Sequence, residues 1–564
     1  MTLKRRPVAL RAPRFLGRDR QRLFLFSCLW LTAVALHQVR LIPNLGLHYD
    51  EALFVNAATK GFRNTDETLF VTSRMFGLPI LLMDYIGALK AWLFAPIFQI
   101  FGVSIWSIRL PAVLIGLICI VLTPRILHRS VASRTGLLII VLTSLDPLFL
   151  LLIRADVGPS ALSSLLRVLG LIISVRLLSE NPHKAAGALV SLSLVITLGV
   201  FNKLDFVIFS VPLVIAILLN QPKNILAFSR SRRLETCFAF VILIAGHFLA
   251  FIFMYLPSRV GSPRVEPIDL QRLQRRVRLA VDSLSGQYMS SFIGGPDNSF
   301  SYPLLPLAAA LGILCSIVIN FRFWLARRQR SEDPVRSHLL SKGIADSHLL
   351  RFFLTLLIGM LLAQILVSGV AWPWHVIHLW PVAHLALVCG LRISISSVFG
   401  WRSVTTVTLA TCLVVVLGAG VLVGQRFDAL QVNSNSRSTF WTSEPTRAGH
   451  AIQRLSQEID GSILVVAVEW GLGTQLLAST VNSPNVVVRD FWPLFLDGQP
   501  ETIRDAIENG KSSPGDLVIF VRHRPASVVM VPSSLSISEE IATECGRHEE
   551  LFAGAHLDIV LTTC

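Results

Sequence analysis

His48, Tyr49, Asp50 and Glu51 stand in a row just past the first apolar run of a chain otherwise poor in charge. A carboxylate pair at the mouth of a hydrophobic bundle can accept a proton or hold a cation. Asp50 is the candidate base, Glu51 the group that tunes or assists it, and His48 and Tyr49 are candidate lining residues. The same stretch also reads structurally, with Asp50 capping a surface helix over residues 51–60 that Gly61 ends. Three more polar groupings follow: Arg154 with Asp156, Lys203 with Asp205, and the run 372–378 with His375 and His378. Singly these read as a local ion pair, a snorkelling lysine and interfacial histidines. Jointly they are what a membrane active site needs, because each falls at the end of an apolar run.

The elements that must position these residues are membrane spans. Of 564 residues, 53% are hydrophobic and 15% charged, and membrane-length apolar runs recur, which excludes a soluble enzyme. The net charge of +16 would suggest nucleic acid in a soluble protein. Here the Lys and Arg residues cluster in short segments between apolar runs, the positive-inside pattern, so no nucleic acid partner is expected. Lys4, Arg5, Arg6, Arg11, Arg14, Arg18, Arg20 and Arg22 precede the first apolar run, and no small-residue cleavage site follows. Residues 1–21 read as a cytosolic basic segment before an uncleaved signal anchor.

The topology turns on residues 78–102, long enough to cross a bilayer but carrying Asp84, Lys90 and Pro96. Crossing would put the clusters near Arg129, Arg232 and residues 322–351 outside. Lying along the outer surface returns them to the cytosol, and this reading is adopted. Eleven spans follow: 22–39, 108–127, 135–153, 159–178, 185–201, 206–220, 235–256, 303–323, 352–370, 376–391 and 404–423. Asp50, Glu51, Arg154, Asp156, Lys203, Asp205 and the 372–378 run then share the outer face. In the outer loop 257–302, Leu270, Leu273, Val277, Val281 and Leu284 recur at helical spacing among arginines, predicting an amphipathic helix on the lipid surface.

From 428 onward the composition turns polar, and short strand-like runs (463–468, 485–488, 517–521, 559–562) alternate with helical patterns (447–458, 473–480, 501–509). This predicts a small extracytoplasmic α/β domain over residues 428–564 with a mostly parallel sheet, behind a transmembrane domain over 22–427. Gly471-Leu472-Gly473 lacks the third glycine of a nucleotide-binding turn and reads as a tight strand-to-helix turn. Six of the eight cysteines fall in apolar runs as small hydrophobes, while Cys545 and Cys564 lie in the polar tail and could pair if it is extracytoplasmic.

The order of these features resembles the GT-C glycosyltransferases, in particular the protein mannosyltransferase and aminoarabinose transferase superfamily. The residues that carry the resemblance are the acidic pair Asp50-Glu51 in the first outer loop and a surface helical stretch over 79–85 with Phe101-Gly102. Arg109-Leu110-Pro111 opening the next span, Asp156 and Lys203 complete them. It covers residues 22–220 and weakens beyond. It implies a GT-C-type polytopic helical fold with outer juxtamembrane helices and transfer of a sugar from a polyprenyl phosphate. It also assigns Asp50 as the catalytic acidic position, Glu51 as its partner, Asp156 as a second acidic residue and Lys203 as a phosphate-binding lysine. Many members have a lysine before the proline aligned with Pro79, where this chain has Leu78, so Arg74 is a candidate substitute.

The chemistry is coherent on its own terms. Displacing a polyprenyl phosphate from an anomeric carbon needs a base for the acceptor, and Asp50 can be that base. Positive charge must meet the leaving phosphate, and Lys203 with Arg154 or Arg109 can supply it. One in-line displacement inverts the anomeric centre. No metal constellation is evident, although a divalent cation could take over part of the positive charge. The expected partners are the donor, a lipid, glycan or protein acceptor, and membrane lipids. The expected setting is a bacterial inner membrane with the N-terminus cytosolic. Two other classes fit the composition: a lipid or sugar transporter or flippase, and a non-catalytic assembly protein on a GT-C scaffold.

Overall fold

A computed structural model describes residues 15–59, 73–83, 85–179, 182–220, 233–255, 334–367 and 377–397 of the membrane part. Towards the C-terminus it describes 443–469, 471–498, 500–511, 517–524, 534–544, 549–553 and 557–562, with isolated positions among 271–290 and 418–428. The expected surface helix over 270–284, the spans 303–323 and 404–423, His375, Gly61 and the Cys545–Cys564 pair lie largely or wholly outside these residues.

Apolar runs of about twenty residues make helices near 30 Å long, the thickness of a hydrocarbon core. Among the described residues, five helices are long and apolar enough to cross a membrane, or six if one bent pair is a single span. The chain is thus a helical integral membrane protein. In order, the membrane part comprises α1 (Phe15–Leu41), α2 (Tyr49–Thr59), β1 (Ser73–Met75), β2 (Leu78–Met83), β3 (Ile86–Gly87), α3 (Leu89–Phe101) and α4 (Ile105–Ile126). Then come α5 (Arg134–Ser144), α6 (Pro147–Ala155), α7 (Ser160–Ser179), α8 (Pro182–Asn202), α9 (Val207–Asn220), α10 (Arg233–Ala250), α11 (Pro334–Val367) and α12 (Val382–Ser397).

Two elements differ from expectation. Residues 79–85 form no surface helix: β1, β2 and β3 make a three-stranded antiparallel sheet. A short apolar run is ambiguous between strand and helix, and backbone pairing decides it. Only α3 is helical in 78–102, and its 13 residues reach about 20 Å, too short to cross. Residues 135–153 are likewise not one straight span, because α5 and α6 meet at a 65° bend. Asp146 accepts the Phe149 N–H at 2.9 Å and Pro147 occupies the first turn, so a new helix starts there.

Packing fixes these pieces. Trp380 stacks on Phe149 at 3.7 Å between ring centroids, and its indole N–H donates to the Thr143 carbonyl, filling the bend. Gly102 at φ 70 ends α3, and a reciprocal Ser104–Ser107 capping box starts α4. Arg109 is thereby placed in the second turn of α4, facing the interior.

The C-terminal residues build α13 (Glu444–Glu458), β4 (Ile463–Ala467), α14 (Leu472–Ser479), β5 (Val486–Asp490), α15 (Trp492–Asp497), α16 (Pro500–Gly510), β6 (Leu517–His523), α17 (Ser534–Glu544), β7 (Glu549–Ala553) and β8 (Leu557–Thr562). The sheet order is β5-β4-β6-β8-β7. β5, β4 and β6 are parallel, whereas β8 and β7 join antiparallel, so the sheet is mixed instead of mostly parallel. Residues 549–553, Glu-Glu-Leu-Phe-Ala, show no strand-like alternation, which hid the edge strand β7. Val and Ile on the two faces of β4 and β6 fill two separate apolar clusters, which explains why β4 is buried along its whole length.

Candidate active site

Glu51 and Arg109 form a closed pair. Both are fully buried, with Arg109 Nη2 2.6 Å and Nε 2.7 Å from the carboxylate oxygens. Arg109 also donates to the carbonyls of Ile42, Leu45 and Gly46, and Glu51 accepts the His48 N–H at 2.9 Å. Burying two charges is costly unless every donor is met, as here. Arg109 is therefore spent on holding the turn before α2 and has no donor left for a leaving phosphate. Glu51 is a positioning group, reaching back to His48 as the third residue of a capping box does.

Asp156 is closed too. Its Oδ2 lies 2.6 Å from Lys90 Nζ, both side chains being nearly inaccessible, and its Oδ1 accepts the Ala161 N–H. Lys90 stands 4.5 Å from the centroid of the Phe54 ring, tying α3 to α2. Arg154, two residues before Asp156, turns elsewhere, to Gln38 at 3.2 Å and Asp428 at 3.7 Å. The expected Arg154–Asp156 pair does not form, and the described contacts bring Arg154 to α1 instead of to Lys203. Asp156 itself takes a left-handed conformation at φ 40 and is engaged by Lys90 and the Ala161 N–H.

Asp50 differs from both. It lies in the first turn of α2, which starts two residues earlier than expected, so Asp50 is not its cap. Its side chain keeps partial solvent access, unlike Glu51 and Asp156. Oδ2 accepts the Gly158 N–H at 2.7 Å. Gly158 adopts φ +56, and a Cβ there would stand 2.8 Å from Lys203 Nζ and 3.8 Å from Asp50 Oδ2. The missing side chain is what lets the carboxylate and the ammonium converge.

Lys203 leads a small cluster. Its Nζ is 3.1 Å from Asp205, and His378 Nε2 is 3.4 Å from the same Asp205 oxygen. With Ser160, Ser163, Arg167 and Ile377, these residues line a small cleft. Arg167 is buried and donates to the Ile377 carbonyl at 2.6 Å. The backbone of Lys203 is held from outside the bundle: it bridges to Ile86 of β3, and Leu204 N–H donates to Tyr85 O. Burial works against the Lys203 charge, but Asp205 and Asp50 outweigh it and hold its pKa above the ordinary lysine value.

His48 accepts the Asp50 N–H on Nδ1, and burial depresses its pKa. Burial, then the Asp50 charge, raises the Tyr49 phenol. Arg74 pairs in register with Pro79 in the hairpin, where Leu78 is half exposed. Among the described residues no three His, Cys, Asp or Glu side chains stand together as a metal ion would require.

Sequence reasoning missed Lys90 and Arg167. Lys90 was visible as an obstacle to a span, and Arg167 as a lone charge inside α7, where ionisable groups mark function or a buried partner.

Residues 88–252 match the family model described as dolichyl-phosphate-mannose-protein mannosyltransferase. That stretch holds Lys90, Arg109, Asp156, Gly158, Arg167 and Lys203, with Asp50 before it and His378 after it. Among curated proteins no sequence matches the chain. Two crystal structures of ArnT from Cupriavidus metallidurans, one apo and one bound to undecaprenyl phosphate, are similar in fold. Each has a TM-score of 0.51 at 13% identity, over 95% of this chain and 97% of that one. The chain is thus similar in fold to ArnT, and its segment 88–252 matches the family model of the protein mannosyltransferases.

Proposed function

We infer that the chain is a membrane glycosyltransferase that moves a sugar from a polyprenyl-phosphate donor to an acceptor at the outer face, inverting the anomeric centre. The observation that carries this reading is the half-open Asp50 carboxylate converging with Lys203 across Gly158, beside a cleft that also holds Arg167 and His378. The fold and the undecaprenyl phosphate in the ArnT structure support the donor class.

In this reading the acceptor hydroxyl or amine attacks the anomeric carbon. Asp50 takes its proton, and the bond from that carbon to the phosphate oxygen breaks, its electron pair leaving with the phosphate. Asp50 is the candidate base because it alone of Asp50, Glu51 and Asp156 keeps solvent access. Lys203 and Arg167 meet the charge on the departing phosphate, with Asp205 and His378 holding Lys203 in place. Arg167 takes the role expected of Arg109 and Arg154. Glu51 and Asp156 frame the site without touching substrate, and Tyr49 and His48 set the position of Asp50.

The C-terminal layer packs on the segment that follows α1, which supports both lying on one side of the membrane; in this reading that side is the outer one and the basic N-terminus is cytosolic. A bacterial inner membrane fits the short loops. Purified chain and its Asp50→Asn variant, incubated with labelled polyprenyl-phosphate monosaccharides in membrane extract, test the reading. Label should move into lipid, glycan or protein with the parent chain only. Equal transfer by the variant would remove Asp50 from the mechanism.

A further inference from the structure

The segment that carries Asp50 is gripped from outside the membrane bundle. Leu47 N–H donates to Thr446 Oγ1 at 2.8 Å, and the Leu47 carbonyl accepts from Gln475 Nε2 at 2.8 Å. Two turns into α2, Asn56 Nδ2 donates to the Thr474 carbonyl at 3.0 Å. Between these points Gly471 lies against Tyr49, so close that a Cβ would stand 2.9 Å from the ring carbon Cδ2. Ala478 of α14 belongs to the same buried cluster as Ala52, Phe54, Leu82 and Ile86 of the membrane part.

We propose that the C-terminal layer is part of the transfer site, with Gly471 and Gln475 as positioning residues that set where the Asp50 carboxylate stands. The proposal rests on the transferase reading above. A helix of eleven residues is not stable on its own, so its orientation is set by what packs on it. The Glu51–Arg109 pair holds α2 from the membrane side. The contacts at Leu47, Tyr49 and Asn56 hold its other face, before and after Asp50. Releasing them lets α2 roll about the Glu51 anchor and carries Asp50 Oδ2 away from the Gly158 N–H. Gly471 also has φ +77, so glycine is required there twice, by backbone conformation and by the Tyr49 ring. This gives the Gly471-Leu472-Gly473 turn a purpose that needs no nucleotide.

The test uses full-length protein carrying Gly471→Val or Gln475→Glu, which keeps the outline of the side chain and replaces the donor to Leu47 by an acceptor. Gly461→Ala, whose nearest neighbour would be 3.8 Å away, serves as the control in the same layer. Both variants should lower kcat by roughly ten- to a hundredfold with the donor KM little changed, as expected when a reacting group is displaced by about 1 Å. Independently of any activity, amide hydrogen exchange over 50–58 should speed up about fivefold or more, the worth of one or two buried hydrogen bonds. Gly461→Ala should change neither. Unaltered exchange over 50–58 in folded Gln475→Glu would overturn the positioning role whether or not the protein transfers sugar. Faster exchange with an unchanged kcat would overturn its bearing on catalysis. A parent chain inactive with every donor would instead sink the transferase reading, and the proposal with it.

Discussion

Two sets of charges lie within a few residues of each other and are built on opposite plans. Glu51–Arg109 and Asp156–Lys90 are sealed and short, whereas Asp50 and Asp205 keep part of their surface free and Lys203, itself buried, lines a cleft with Asp205. The sealed pairs join α2 to α4 and α3 to the loop after α6. In the proposed reading, adjacent positions in sequence divide between holding a site and working in it.

The largest effect expected from breaking this contrast is on the sealed side. Arg109→Leu leaves Glu51 as a buried unpaired charge and should cost about 3–5 kcal/mol, seen as loss of folded protein in a detergent melt. Replacing both Glu51 and Arg109 by Leu should be much milder than either single change. On the open side, Lys203→Met should lower transfer by about 10²–10³-fold, as for removal of one group that stabilises developing charge, and should lower the melt less than Arg109→Leu does because Asp205 keeps some solvent access. Gly158→Ala joins the two sides: its methyl meets Lys203 Nζ and its backbone is strained by about 1–3 kcal/mol, so activity and stability should both fall.

How much of this could be read from sequence follows from the range of the interactions. Asp50-Glu51 stood out because charge is rare in an apolar chain, and the α5–α6 bend was written in Asp146-Pro147 though not read as such. The partners were not legible. Nothing local says that Asp156 pairs with Lys90 instead of Arg154, or that Gly471 meets Tyr49. Such pairings arise when distant helices and the C-terminal layer pack. The 79–85 stretch misled because a six-residue apolar run carries no decisive period.

The smallest effect concerns the edge of the site. Burial, with Glu469 nearby, raises Asp490 to about 7. A carboxyl whose folded pKa is raised favours the folded state below its unfolded pKa, and that contribution is lost as pH rises through about 7. Asp490→Asn should therefore raise the melting temperature at pH 8 by a few degrees and leave it little changed at pH 4.

The most direct measurement runs transfer rate and thermal unfolding side by side for Asp50→Asn and Asp156→Asn. The account predicts a crossover. Asp50→Asn should lose about 10²–10⁴-fold in rate, the usual worth of a general base, with its melt intact. Asp156→Asn should lower the melting temperature by leaving Lys90 buried without its counter-charge. An Asp50→Asn enzyme that transfers normally, beside an Asp156→Asn protein that melts normally but is inactive, would contradict the division of roles.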